Sequence, residues 1–143
     1  MTKDFRKILV GVDDSADAIT AFQYAIHRAK ADNAELIIAS ILESDDMNIY
    51  QVLSKDYVHG ERQELEKHVN QYVTLAQEAG IKNVRAVIGE GDPGEVIVKT
   101  LIPKYAPDLL VVGAASKMGI AKHLGSQAAY MAKYAPISVL VVR

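Results

Sequence analysis

The sequence contains no cysteine. That excludes disulfides, thiolate nucleophiles and cysteine-ligated zinc or iron–sulfur sites, and it is compatible with a reducing compartment. The chain also lacks a marked excess of charge: 16 Lys and Arg stand against 18 Asp and Glu, a formal net charge of −2. There is thus no electrostatic case for nucleic acid or an anionic membrane as a partner. Long hydrophobic runs are missing as well. The first residues, Met1-Thr2-Lys3-Asp4-Phe5-Arg6-Lys7, lead into a five-residue apolar run, Ile8 to Val12, too short for a signal-peptide core or a membrane span. A cytoplasmic address is the expectation by elimination. No internal repeat, low-complexity tract or linker divides the chain, so a single domain over residues 1–143 is expected. A chain of that length buries roughly 70% of its unfolded surface, enough for a core without metal or crosslinks.

What is present is half hydrophobic and about a quarter charged, the composition of a folded globular chain. Four runs of Ile, Val and Leu are nearly continuous rather than alternating, and so read as strands covered on both faces: Ile8 to Val12, Glu35 to Leu42, Asp108 to Gly113 and Ile137 to Val142. Val84 to Ile88 is a fifth, weaker one. Segments with helical spacing lie between them, and this alternation requires crossover connections and hence a parallel α/β sheet. The first helix follows Asp13-Asp14-Ser15, any of which can cap it, with Ala18, Phe22, Ala25, Ile26 and Ala29 as its apolar face. The second carries Leu65, Val69, Tyr72, Ala76 and Ala79 and stops at Gly80. The third opens on Asp92-Pro93-Gly94-Glu95, a cap residue, an N1 proline and a capping-box glutamate, and Pro103 is expected to kink or end it. The fourth runs from about Ser126 to Tyr134 and halts at Pro136, while Glu43 to Lys55 reads as a surface loop.

In open parallel sheets ligands gather at the carboxyl ends of the strands. The residues there are Asp13-Asp14-Ser15, Ile41-Leu42, Gly89-Glu90-Gly91 and Gly113-Ala114-Ala115-Ser116. Gly113 permits close backbone approach, a loop with Gly119 follows, and Gly125-Ser126 opens a helix, with Lys117, Lys122 and His123 as nearby cations. Free amides and the positive helix end make an anion cradle of such a stretch, although plain connectors use the same glycines. His27, His59, His68 and His123 show no metal spacing, and the first three read as solvated positions. Asp13-Asp14 and Asp45-Asp46 are paired carboxylates on turns, where neighbours point apart. The charged run Glu61 to Lys67 reads as a wet helix face. No G-x-S-x-G elbow supports a nucleophilic serine.

Taken together, Lys7 to Ser15, Glu90-Gly91-Asp92-Pro93, Pro107 to Gly113, and Gly125-Ser126 followed by Ala135 to Arg143 resemble the universal stress protein family, in order and over nearly the whole chain. The resemblance implies a flavodoxin-like fold of the adenine-nucleotide alpha-hydrolase type, with five parallel strands in the order 3-2-1-4-5 and helices on both faces. It implies a homodimer formed through the C-terminal strand and a family divided into members that bind ATP and members that do not. ATP-binding members carry G-x2-G-x9-G-[S/T] after the fourth strand. Here Gly113 fits the first glycine and Gly125-Ser126 the closing pair, but Ser116 takes the second glycine position and one residue is missing before Gly125. By the same resemblance Asp13 lies near the adenosine and Ile41 packs on adenine. The residues themselves equally allow Asp13 as a turn stabiliser and Ile41 as core.

The implied nucleotide pocket comprises Val12, Asp13, Ile41, Val112, Gly113, Ala114, Ser116, Gly119, Gly125, Ser126 and Gln127, with phosphate near Gly125 to Ala128 and Mg2+ accompanying ATP. The expected function is that of a stress-response regulator that binds ATP and is not an enzyme beyond slow hydrolysis, since no Walker-type lysine follows the glycine loop. The alternative is a dimeric interaction protein whose altered loop binds no ATP, with protein partners that the sequence does not name.

Overall fold

The computed structural model describes residues 4–43, 55–114 and 124–143, and of 55–60 the backbone alone. Its strands are β1 (Lys7–Gly11), β2 (Glu35–Leu42), β3 (Val84–Glu90), β4 (Leu109–Gly113) and β5 (Ser138–Val142). All pair in parallel in the order β3-β2-β1-β4-β5. The chain starts in the middle of the sheet, winds outward to one edge and crosses back to build the other, so β1 and β4 diverge at the switch point where α/β sheets form their crevice. The α/β fold class, the strand order and the two helical layers are as expected.

One layer holds α1 (Ala16–Asp32) and α2 (Lys55–Glu78). Their buried Phe22, Ala25, Val69, Tyr72 and Ala76 pack on Ile8, Val10, Leu36 and Ile38. The opposite faces of the same strands, through Leu9, Ile37, Leu110 and Val112, receive Ile97, Leu101, Ala128 and Met131. Burial on both faces is the reason these strands are continuous aliphatic runs. Ile26, assigned to the buried stripe of α1, is only partly covered, as is Leu65 in α2.

The local signals at the helix ends work as read. Ser15 Oγ accepts from Ala18 N at 3.1 Å and starts α1. Gly80, at φ +100°, occupies the left-handed region after α2, where Ile81 N donates back to the Ala76 carbonyl at 3.0 Å. Asp92 caps the third helix by accepting from Glu95 N.

Pro103 does not end the third helix, which continues from an α-helical turn (Pro93–Val96) through a π-helical stretch (Ile97–Leu101) into a last α-helical turn (Ile102–Tyr105). We call this rod α3. The amide of Ile102 donates to the carbonyl of Ile97, five residues back, and this wider turn relieves the crowding that a proline ring imposes on the preceding turn. The rod ends at Ala106, in the left-handed region at φ 52°. The last helix, α4, spans Ser126–Tyr134. Of the expected loop from Glu43 to Lys55, residues 44–54 lie outside the described residues, and Lys55 already belongs to α2.

Candidate functional site

Each helix returns antiparallel to the strands, so the N-termini of α1, α3 and α4 gather at the carboxyl edge of the sheet. These three ends differ in how their free amides are used. In α1 the Ser15 hydroxyl takes one, and in α3 the Asp92 carboxylate takes another. Gly125, the N-cap of α4, has no side chain to offer, and α4 has no side-chain cap among the described residues. The first amides of Ser126, Gln127 and Ala128 therefore sit at the positive end of a helix with no side-chain acceptor among the described residues. Gly125 N donates to the Ala114 carbonyl at 2.8 Å, which ties the two ends of the intervening segment into a neck directly beside those amides. Ser116 and Gly119, and the cations Lys117, Lys122 and His123, fall in that segment and lie outside the described residues.

Gly113 proves to be a packing requirement as well. A Cβ there would stand 2.8 Å from the amide nitrogen of Ala18 and 2.8 Å from the carbonyl carbon of Asp17, so only glycine lets the first turn of α1 lie against the end of β4. Val12 and Val112 are 6% and 3% exposed and point into the cores on opposite faces, which leaves only their backbone for the crevice. Ala114 is buried and extends the β4–β5 ladder through its amide to the Val142 carbonyl at 2.7 Å. Ile41 is half-buried at the end of β2, packed on the α3 side, with one flank open.

Asp13 and Asp14 take different partners. Asp13 Oδ1 accepts from Ser15 N at 3.0 Å, a turn-stabilising contact, while its exposed carboxylate has no other bond among the described residues. Asp14 adopts φ 67° and turns its carboxylate to the other side of α1, where Oδ1 accepts from the Tyr72 hydroxyl at 2.7 Å and meets His68 Nε2. Burial pushes the Asp14 carboxyl up, but the hydrogen bonds of Tyr72 and His68 and the nearby charge of His68 together hold it below the usual carboxylate value. Burial and the bond to Asp14 push the Tyr72 phenol well above its usual value. The sequence reading of His68 as merely solvated missed this contact. Its signal was the i, i+4 spacing of His68 and Tyr72, which sets both rings on one face of α2.

Gln127 does more than line a pocket. Its Oε1 accepts from Gly94 N at 2.7 Å and its Nε2 donates to Asp92 Oδ1 at 2.8 Å, so its side chain clasps the start of α4 to the start of α3. Its backbone amide, not its carboxamide, is the group left for a ligand. Among the described residues no group of three or more His, Asp and Glu is placed to hold a metal ion.

The family model described as the universal stress protein family matches residues 4–143. A universal stress protein of Staphylococcus aureus (strain USA300) is 30% identical over 140 residues, covering 97% of this chain and 84% of that one. Among solved structures, the universal stress protein UspA from Lactobacillus plantarum superposes with a TM-score of 0.86 at 24% identity, over 99% of this chain and 100% of that chain. A universal stress protein solved in complex with cAMP is 30% identical, with a TM-score of 0.70 over 99% of both chains. With a family model that matches residues 4–143 and a 30% identical relative covered over most of its length, the chain belongs to the universal stress protein family.

Proposed function

We propose that this protein is a regulatory nucleotide-binding protein of the stress response that takes an adenine nucleotide, ATP in particular, at the carboxyl edge of its sheet. The observation that carries the reading is the uncapped start of α4 beside the Ala114–Gly125 neck, an anion cradle at an end of the molecule where α1 and α3 have satisfied amides of their own. The complex of a 30% identical relative with cAMP supports it.

In this reading the amides of Ser126 and Gln127, with Gly113, Ala114 and Gly125 giving close backbone approach, hold the phosphates. Ser116 and Gly119 belong to the same pocket in this reading. Asp13 offers its spare carboxylate oxygen to a ribose hydroxyl, Ile41 packs on the base, and Val12 and Val112 contribute backbone alone. Mg2+ would accompany the phosphates and offset their charge. Binding and release, rather than turnover, is the function in the cytoplasm.

Calorimetric titration with ATP and magnesium tests this directly. The Gly125 backbone, at φ −60°, accepts an L-residue, so Gly125→Val is expected to fold, to crowd the open amides and to weaken binding at least tenfold. Equal binding by both proteins would remove the phosphate from α4. Ser116 and the shortened loop favour a second reading, a dimeric interaction protein without nucleotide, and absence of adenine nucleotide both from the purified protein and in titration would select it.

The same proposal includes an isologous homodimer through β5. This strand is a sheet edge, and Val139, Leu140, Val141 and Val142 are all only partly buried. Because the Val142 carbonyl accepts from Ala114 N within the sheet, the amide of Val141 faces outward, free to pair with a second copy. Val141→Pro removes that amide without breaking the β4–β5 ladder and is expected to sediment as a monomer where the wild type sediments as a dimer. A monomeric wild type at micromolar concentration would overturn this part.

A further inference from the structure

On the α1–α2 face the two helices lean on the sheet and are bridged by Phe22 and Tyr72, whose rings meet edge to face at 4.8 Å and 78°. Outside that bridge a groove of about 440 Å³ opens between them. Ile19 on α1 and Leu75 on α2 stand on its walls, 42% and 52% exposed, although they are large aliphatics that a helix ordinarily turns inward. One end is closed by the cluster of Asp14, His68 and Tyr72.

The size and chemistry of the groove restrict what fits. Its volume is that of a small-molecule site, commonly about 300–1,000 Å³, whereas a stable protein interface engages about 20–30 residues a side, far more than wall this groove. Among the described residues neither Lys nor Arg lines it, and its one imidazole, His68, is already engaged by Asp14. Its polar end is instead a carboxylate with two aromatic rings against it: His68 and Tyr72 stack edge-on at 5.6 Å, and both bond to Asp14 Oδ1. The second carboxylate oxygen of Asp14 accepts no bond among the described residues. A carboxylate beside ring faces above an apolar floor is the chemistry that recognises an ammonium group on an apolar body.

We propose that the groove between α1 and α2 binds a small aromatic amine, its ring between Ile19, Phe22 and Leu75 and its protonated nitrogen on Asp14. The lowered Asp14 carboxyl, with its hydrogen bonds from Tyr72 and His68 outweighing burial, keeps the anion available at neutral pH. The site is independent of the nucleotide reading, since none of its residues belongs to the proposed nucleotide pocket. The left-handed backbone at Asp14 also has a use here, because it goes with a carboxylate that reaches Tyr72 and His68 at the groove, while Asp13 accepts from the Ser15 amide.

The test is an amide-resolved NMR titration of the nucleotide-free protein with tryptamine, run in parallel with indole-3-acetate as the acid of matching ring. Saturable shifts are expected for tryptamine at residues 14, 19, 68, 72 and 75, with indole-3-acetate at least about tenfold weaker. Asp14→Asn keeps a residue that tolerates the left-handed region and should weaken tryptamine about tenfold while the thermal transition stays cooperative. Leu75→Lys, at an exposed wall position that the core does not need, should abolish binding. Gly125→Val, which addresses the nucleotide pocket, should leave it unchanged. Failure to saturate by about 10 mM, equal binding of amine and acid, or shifts clustered away from the groove would each overturn the proposal.

Discussion

The two ends of the sheet are built on opposite plans. At the amino end the polar groups are spent on one another. Asp108 accepts from the backbone amides of Arg6 and Lys7 at 2.9–3.1 Å, and the Lys7 ammonium donates to the Tyr105 carbonyl at 2.8 Å. Glu35 pairs with Lys7 and Arg85, and Asp32 takes both the Arg28 guanidinium and the amide of Phe5. At the carboxyl end Asp14 and Gly91 hold positive φ, Gly113 lets α1 press on β4, and α4 starts with no side-chain cap among the described residues. The difference follows from the parallel topology. Helix C-termini collect at the amino end, where Lys30, Lys104 and Lys133 lie in the last turns of α1, α3 and α4 and suit their negative ends, and helix N-termini collect at the other, where an anion can do the same. One end closes the fold, and the other holds binding capacity in reserve.

The sharpest challenge to that division is Gly113→Val, which places a branched side chain where a Cβ alone already meets backbone atoms of α1 at 2.8 Å. Because backbone rather than a flexible side chain must move, a loss of about 3 kcal/mol is expected, read as a fall of roughly 10 °C in thermal unfolding. An unchanged melting temperature would mean that the end of β4 is as adaptable as its surroundings, and that Gly113 serves a ligand alone.

At the opposite end, Asp108→Ala should cost about 2 kcal/mol in urea unfolding, because the amides of Arg6 and Lys7 lose a charged acceptor. Nucleotide and amine titrations should be unaffected. Altered affinity with stability intact would erase the contrast between the two ends.

A smaller effect distinguishes them by pH. The hydrogen bonds of Arg28 hold the Asp32 carboxyl below its ordinary value of 3.8, against burial, which pushes it up, and with the help of the Phe5 amide. A carboxylate lowered in the folded state stabilises fully above its unfolded value, and this contribution is lost as pH falls through the folded one. The stability gap between wild type and Asp32→Asn should therefore be constant from neutral pH down to about pH 5 and shrink below 3.8. A gap that persists unchanged into strong acid would show that Asp32 acts through shape rather than charge.

Much of the architecture is written in local patterns. The bounds of β2 at Glu35–Leu42 and of α4 at Ser126–Tyr134, the Ser15 cap and the Gly80 stop all follow from residue type and spacing within a few positions. Pro103 shows where such reading stops short. The helix does not end there: a π-helical stretch precedes the proline, and Ile97 and Leu101 within that stretch and Ile102 just after it are buried in the core.

The candidate site divides in the same way. Gly113, Gly125 and Ser126 stand out in the sequence because glycine before a helix start is a local signal, and Asp13 stands out as a turn residue. That Gly113 is demanded by the first turn of α1 could not be read, because Ala18 lies far from it along the chain. Nor could the clasp of Gln127 on Asp92, 35 residues away, or the meeting of Asp14 with Tyr72 across 58. Aliphatic runs, caps and helical periods act over one or two turns of chain, so the sequence by itself determined the elements, their alternation and hence a parallel sheet. Which side chains face one another across two crossovers depends on sheet twist, register and the packing of α1 against α2. Only the tertiary structure decided that one aspartate of the pair holds the neighbouring Ser15 amide while the other meets Tyr72 and His68 on a distant helix.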